Sequence, residues 1–203
     1  NMKTFAIILI SVLSLSSFSM QDNTPCKKKK NQKEKEIIVK NSTASGYSIE
    51  VEFTSGKGHN NPSFAIWIED MNEQFVQELF ITQSVATGIF RFGDASTGQW
   101  QAGQKMYKAT LPYFIHKHSK SAVIPNQSNP IADAYTGATP SNDFILKTKS
   151  NTKIDGKFRI VMEINQAWDS NNYWNNAKYP DEKEYKNSLQ PSLIYAVTID
   201  PEN

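Results

Sequence analysis

Apolar and polar residues alternate along several segments of the chain, and this period of two predicts half-buried β-strands. In residues 47–54, YSIEVEFT, the side chains of Tyr47, Ile49, Val51 and Phe53 fall on one face. Two later segments repeat the pattern, with predicted inward residues Phe158, Ile160, Met162 and Ile164, and then Leu193, Tyr195, Val197 and Ile199. We expect each strand to place one face in a core and the other in solvent.

Shorter apolar runs complete a predicted all-β domain over residues 37–203. Residues 64–70 and 74–82 predict a hairpin that turns at Met71-Asn72-Glu73, and residues 37–40 and 143–148 predict two more strands. About seven short strands with little helical periodicity indicate an antiparallel, immunoglobulin-like β-sandwich. Only residues 107–118 and 181–188 suggest short helices. Long connections, residues 83–112 and 119–142, are expected to carry function.

The first 20 residues have the pattern of a secretory signal peptide. Lys3 precedes an apolar stretch over residues 5–15, and Ser17 and Ser19 supply small residues near a cleavage point after Ser19 or Met20. The apolar stretch is shorter than the ~20 residues of a membrane-spanning helix. The sequence therefore predicts export to the periplasm or secretion.

Residues 21–36 predict a disordered, Lys-rich linker, because this segment offers almost nothing to bury. Residues 1–36 hold 7 basic and 3 acidic side chains, so residues 37–203 hold 15 basic and 17 acidic ones, although the whole chain has a net charge of +2. The domain itself is not basic, which excludes nucleic acid as a predicted partner. The linker could instead contact an anionic membrane surface peripherally.

Cys26 is the one cysteine of the chain and lies in this linker. A single thiol excludes an internal disulfide framework, a Cys-based zinc site and an iron–sulfur cluster ligated by this chain alone. Cys26 is either free or paired with another molecule. Any redox role of the domain would require a cofactor bound through other groups.

A pair of histidines, His116 and His118, would lie on one face if its segment were a strand. A metal would then need a third ligand, such as Asp94 or Asp133. Alternatively, Pro112 starts a helix that separates the two imidazoles. We predict no metal site.

The second long connection contains Asp133-Ala134-Tyr135-Thr136-Gly137-Ala138-Thr139. This string resembles the motif at which a flavin transferase joins FMN to the last threonine through a phosphoester bond, as in FMN-bearing subunits of membrane redox pumps. The resemblance implies that Thr139 is the attachment residue and that Asp133, Thr136, Gly137 and Ala138 form the recognition sequence. The alternative is a turn in which the Asp133 side chain accepts local backbone hydrogen bonds.

A second resemblance covers about residues 47–200. The order of FAIWIED, QFVQELF, DAYTGATP, FRIVMEINQAWDSNNYW and QPSLIYAVTID is similar to a family of predicted periplasmic proteins of unknown function, sometimes encoded with flavin transferases and PepSY-type membrane reductases. This resemblance implies an extracytosolic redox setting, with a flavin transferase and a membrane reductase as partners.

An aromatic, Asn-rich segment over residues 167–180 provides a candidate binding surface. Trp168, Tyr173 and Trp174 stand among amide side chains, which suit a sugar or the ring of a flavin. The alternative is that the aromatic rings close one end of the domain while asparagines form turns. The sequence has no nucleophile elbow or phosphate-binding loop, so we predict a carrier with covalent FMN or a non-catalytic module that binds a glycan or partner protein.

Overall fold

A computed structural model describes residues 5–10, 35–87, 109–120, 125–126, 128–132, 135–140, 142–166, 169–189 and 191–202. The predicted cleavage point after Ser19 or Met20 and most of the predicted linker lie outside these residues. Within them the elements are β1 (Phe5–Ile10), β2 (Glu36–Val39), β3 (Ser48–Phe53), β4 (Ser63–Glu69), β5 (Phe75–Thr82), α1 (Gln83–Thr87), α2 (Pro112–Ser119), β6 (Thr136–Gly137), β7 (Phe144–Lys149), β8 (Phe158–Asn165), α3 (Lys183–Ser188) and β9 (Leu193–Ile199).

The strands form two mixed sheets, and the prediction of an all-β protein is confirmed. Sheet A has the order β1-β3-β7-β2, and sheet B has the order β6-β5-β4-β8-β9. The prediction of purely antiparallel sheets is wrong, because β1 with β3, β2 with β7, and β5 with β6 pair in parallel. Parallel neighbours need long connections between them, and the chain supplies these before β3, between β2 and β7, and between β5 and β6.

The two sheets share one core, and its residues follow the predicted alternation. Ile49 and Val51 of sheet A pack with Ile160 and Met162 of sheet B, and the rings of Tyr47 and Phe53 border this cluster. Leu193 departs from the prediction: it lies at the first position of β9 and is 59% exposed. The predicted hairpin is also confirmed, since β4 and β5 pair antiparallel.

Sheet B also buries its second face, which the alternation had assigned to solvent. A separate apolar cluster there joins Trp67 and Val161 of the sheet to Phe114 and Ile115 of α2 and to Leu111. The side chain of Trp67 is fully buried. The described chain therefore has a third layer, made by α2 and the segment before it, on the side of sheet B that faces away from sheet A.

Glu163 on β8 shows how this third layer is attached. Its carboxylate accepts hydrogen bonds from the backbone N–H groups of Tyr113 (3.1 Å) and Phe114 (2.6 Å) and from the Ser192 hydroxyl (2.5 Å). These amides lie in the first turn of α2, where N–H groups have no partner within the helix. Burial raises the pKa of Glu163 above its ordinary value, although these hydrogen bonds act in the opposite direction.

Glu69 on β4 is a second carboxylate with no exposed surface on this face. Its Oε1 accepts a hydrogen bond from Trp67 Nε1 (3.0 Å) and lies 3.5 Å from Lys117 Nζ. Arg159 Nη1 lies 3.8 Å from the other carboxylate oxygen. The expectation that the second face of each strand lies in solvent is wrong for Glu69 and Glu163, because α2 covers the positions that alternation alone leaves open.

The short helices follow the predicted regions in two of three cases. α2 lies within and just beyond residues 107–118, and α3 lies within residues 181–188, whereas α1 falls on a segment predicted as a loop. None of the helices in the described ranges is long and apolar enough to cross a membrane.

Replacing Glu163 tests the link between sheet B and α2 through pH. Since the folded state binds the Glu163 proton more tightly than the unfolded chain does, the free energy of unfolding should fall as pH rises from 4.5 through the raised pKa. Glu163→Gln should remove this part of the pH dependence, as measured by urea unfolding between about pH 2 and pH 8.

Asp143 provides a control of opposite sign. Hydrogen bonds from the Ser55 hydroxyl and backbone N–H lower the pKa of Asp143 below 3.8. Its contribution to stability is therefore present above pH 3.8 and is lost as pH falls through the lowered pKa.

An unfolding profile of Glu163→Gln that matches the unaltered chain at every pH would contradict the assigned role of Glu163.

Candidate functional site

The end of the Asp133–Thr139 motif emerges from the edge of sheet B. Thr136 and Gly137 form β6, which pairs with Ile81 and Thr82 at the end of β5. Thr136 is buried, Ala138 is exposed and Thr139 is partly exposed. Asp133 and Ala134 lie outside the described residues. The folded domain thus holds the middle of the motif on the sheet and leaves its last two residues accessible.

Gly137 occupies a position where a side chain does not fit. A Cβ atom there would lie 2.8 Å from Cε2 of Phe80, whose ring belongs to the buried core. The glycine of the motif therefore has a packing reason that is independent of any modification at Thr139. Its presence supports the fold of this loop whichever function the motif serves.

A hydrogen bond joins the residue after Thr139 to the neighbouring loop. Nε2 of His59 lies 3.3 Å from the carbonyl oxygen of Pro140, which is itself buried. The ring of His59 also contacts Phe53 and Phe64 at the end of the shared core. His59 was not assigned to the Thr139 site from the sequence. The feature that could have indicated it is its position in the loop GKGHNNP, between two strands.

His59 also lines an open cleft of about 540 Å³ at this end of the domain. Clefts of 300–1,000 Å³ with mainly apolar walls and a few polar groups are typical of small-molecule sites. The wall of this cleft combines apolar and aromatic side chains with amides, among them Met162, Ile164, Asn171, Trp174 and Tyr195. Pro140, the residue after Thr139, therefore contacts His59, and His59 lines the cleft.

The side chain of Gln166 connects, through hydrogen bonds, two loops that border the cleft. Its Oε1 accepts a hydrogen bond from the backbone N–H of Asn60 (2.6 Å), and its Nε2 donates to Oδ2 of Asp169 (2.8 Å). Gln166 follows directly after β8, so the sheet positions both loops. This residue was also missed from the sequence, because it continues neither the alternation of β8 nor the aromatic pattern that follows.

Trp174 is the aromatic residue of the predicted binding segment that the structure places in the cleft wall. Lys178 Nζ lies 4.4 Å from the centre of its ring and 3.0 Å from the centre of the Tyr173 ring. Asn171 Oδ1 accepts hydrogen bonds from the backbone N–H groups of Tyr173 and Trp174. Asparagine thus forms a turn here, as one interpretation proposed, and this turn orients Trp174. Trp168 lies outside the described residues.

The two histidines of the metal hypothesis do not share a face. In α2 the side chain of His116 is exposed, whereas His118 is buried with its Nε2 2.8 Å from Glu78 Oε1. The helical interpretation that begins at Pro112 is confirmed. No group of three metal-ligating side chains occurs among the residues that the structure describes; Asp94 and Asp133, the suggested third ligands, lie outside them.

Comparison of the chain with known protein families, with curated proteins and with solved structures finds no match.

The packing at Gly137 leads to a stability prediction. Gly137→Ala should lower the free energy of unfolding by about 1–3 kcal/mol, because the added methyl group overlaps the Phe80 ring. Gly56→Ala is the matched control, since a Cβ there meets no atom within 4 Å. Urea unfolding of both variants provides the measurement, and equal stability of the two would show that the loop yields to the methyl group.

Proposed function

We propose that this chain is an exported, immunoglobulin-like β-sandwich protein of an extracytosolic electron-transfer system, which carries FMN covalently on Thr139. The observation that carries the proposal is the placement of Thr139. Its side chain is partly exposed, the preceding β6 strand fixes it to sheet B, and the following residue contacts His59 of the cleft. A protein substrate for a modifying enzyme needs such an accessible hydroxyl on a defined backbone.

The attachment reaction requires only one reacting group from this chain. Thr139 Oγ would form a phosphoester bond with the FMN phosphorus of FAD, the pyrophosphate bond would break and AMP would leave. The hydroxyl proton would pass to a base of the flavin transferase, which would also supply the metal for the leaving group. Asp133, Thr136, Gly137 and Ala138 would form the sequence that the transferase recognises.

The cleft suits the ring system of such a cofactor. A bound FMN supplies reversible electron transfer, and this chain's residues would position it. Trp174 and Tyr195 offer aromatic surface, Met162 and Ile164 offer apolar surface, and Asn171 offers an amide. Stacking on aromatic side chains favours a planar ring system. Trp168 is a second candidate to contact the flavin ring.

The location and partners of the protein follow from the same proposal. The signal peptide would direct the chain to the periplasm or outside the cell. Cleavage near residue 19 or 20 would remove β1 and leave β3 as an edge strand of sheet A. A flavin transferase would modify it, and a membrane reductase would exchange electrons with it. The Lys-rich linker would allow peripheral contact with an anionic membrane surface. On this proposal the domain is a carrier and has no catalytic reaction of its own.

Coexpression with a flavin transferase tests the attachment site. The purified chain should gain the mass of FMN minus water and should show a yellow, fluorescent band in a denaturing gel. Thr139→Ala should lose both signals while keeping the unfolding profile of the unaltered chain, because this side chain is partly exposed.

Thr136→Ala is an instructive second variant, because Thr136 is buried in β6. It should reduce the yield of modification by weakening the presentation of the loop, without removing the nucleophile. An unchanged mass after coexpression, or a mass shift that survives Thr139→Ala, would overturn the assignment of Thr139.

The same cleft supports a second candidate function, a non-catalytic module that binds a glycan or a partner protein. An aromatic ring beside amide groups is a common arrangement for sugar recognition, and Trp174, Asn171 and Gln166 meet in this way in the cleft wall. This function requires no modification of Thr139.

Mutation of Trp174 separates the two functions. On a glycan array, Trp174→Ala should weaken binding about tenfold or more if a sugar stacks on the indole ring, whereas Thr139→Ala should leave binding unchanged. Absence of glycan or protein binding by the colourless, unmodified chain would argue against the binding-module function.

A further inference from the structure

The last strand, β9, forms one edge of sheet B. It pairs along its whole length with β8, from Leu193 opposite Ile164 to Ile199 opposite Phe158. No other strand in the described residues pairs with its outer side. Every residue of β9 has exposed or partly exposed surface, including Leu193 (59%) and Ile194 (47%). Within the described residues, an apolar strand is therefore open at one edge of sheet B.

This edge lacks the features that usually prevent strand addition. The sequence LIYAVTI contains no charged residue, no proline and no glycine, and its pairing with β8 shows no register shift. Proteins generally protect such edges with charges, prolines, bulges or very short strands. The opposite edge strand of sheet B, β6, has only two residues, and the edge strand β2 of sheet A includes the charged residue Glu36. β9 differs from both.

We propose that β9 pairs antiparallel with β9 of a second copy of this chain, about a two-fold axis at Ala196. The sequence of β9 is self-complementary in this register. Tyr195 would lie opposite Val197 of the partner, and Leu193 would lie opposite its Ile199. Aromatic and branched apolar residues favour each other as directly opposed pairs, and a two-fold axis makes each contact twice.

The register also keeps the two faces of the sheets aligned. Tyr195, Val197 and Ile199 pack toward sheet A in each copy. Ile194, Ala196 and Thr198 lie on the other face, beside Glu163, Val161 and Arg159 of β8. Pairing around Ala196 places odd positions opposite odd positions, so the apolar faces of both copies continue into each other. A register shifted by one residue would place the core-facing residues of one copy beside the solvent-facing residues of the other copy.

Pairing would also extend the cleft. Leu193 and Tyr195 line it and belong to β9. In the dimer the partner strand would lie beside these two residues, so each copy would contribute to the rim of the other copy's cleft. This inference does not depend on the modification of Thr139, since the free edge is a property of the unmodified chain.

Charge replacement at the two-fold axis tests the proposal. Ala196 is exposed, so Ala196→Lys and Ala196→Glu should keep the fold of the unaltered chain, as measured by far-ultraviolet circular dichroism. Analytical ultracentrifugation of the purified chain should show a concentration-dependent dimer. Each variant alone should sediment as a monomer, because like charges would meet across the axis, and an equimolar mixture of both should regain the dimer. Met71→Lys on the β4–β5 turn, where Met71 is 51% exposed, is the matched control and should remain dimeric.

Three results would overturn the proposal. The first is a monomer at all concentrations, which would show that β9 does not pair with a second copy and would make a strand of another protein the remaining candidate. The second is a dimer that persists in both Ala196 variants, which would place the interface elsewhere. The third is a mixture of the two variants that stays monomeric although each variant is folded, which would exclude the register centred on Ala196.

Discussion

The central strands of sheet B, β4 and β8, are buried on both faces, and the rest of the structure depends on how the second face is closed. A buried carboxylate is unfavourable without hydrogen bonds, and Glu163 has them from two amides of α2 and from Ser192. One side chain of β8 thus connects the sheet to a helix and to the segment that leads into β9. Trp67 and Phe114 complete this layer with apolar contact.

This arrangement positions the candidate site. β8 passes between the two cores and ends at Asn165, and the next residue, Gln166, fixes the loop that contains Asn60. β5 ends where β6 begins its parallel pairing, so the loop that presents Thr139 starts from the same rigid sheet. Thr139, the proposed attachment residue, and the cleft are therefore on loops whose bases are strands of sheet B. Sites with such a base keep their geometry better than sites on free loops.

Much of the strand content was predictable, because a period of two identifies a half-buried strand without knowledge of its neighbours. The inward residues of β3 and β8 are examples. The burial of Glu69 and Glu163 was not predictable in this way, since it depends on α2, which comes from a distant part of the chain. The parallel partners of β2 and β6 were missed for the same reason.

The candidate site was predictable only in its parts. The motif that ends at Thr139 and the aromatic segment with Trp174 were visible as local patterns, but His59 and Gln166 have no distinctive pattern around them. Their importance lies in contacts between loops, with Pro140 and with Asn60. Such contacts depend on which strand ends lie side by side, and a single sequence does not specify this.

We propose that the folded domain holds a flavin, joined to Thr139, in the cleft beside Trp174. Circular dichroism in the visible absorption bands of the flavin tests it most directly, because a ring held in an asymmetric protein site acquires a signal that a freely rotating ring lacks. We expect a clear visible signal from the modified chain that disappears in urea and decreases in Trp174→Ala. A modified, folded chain with the same visible circular dichroism spectrum as free FMN would contradict this proposal.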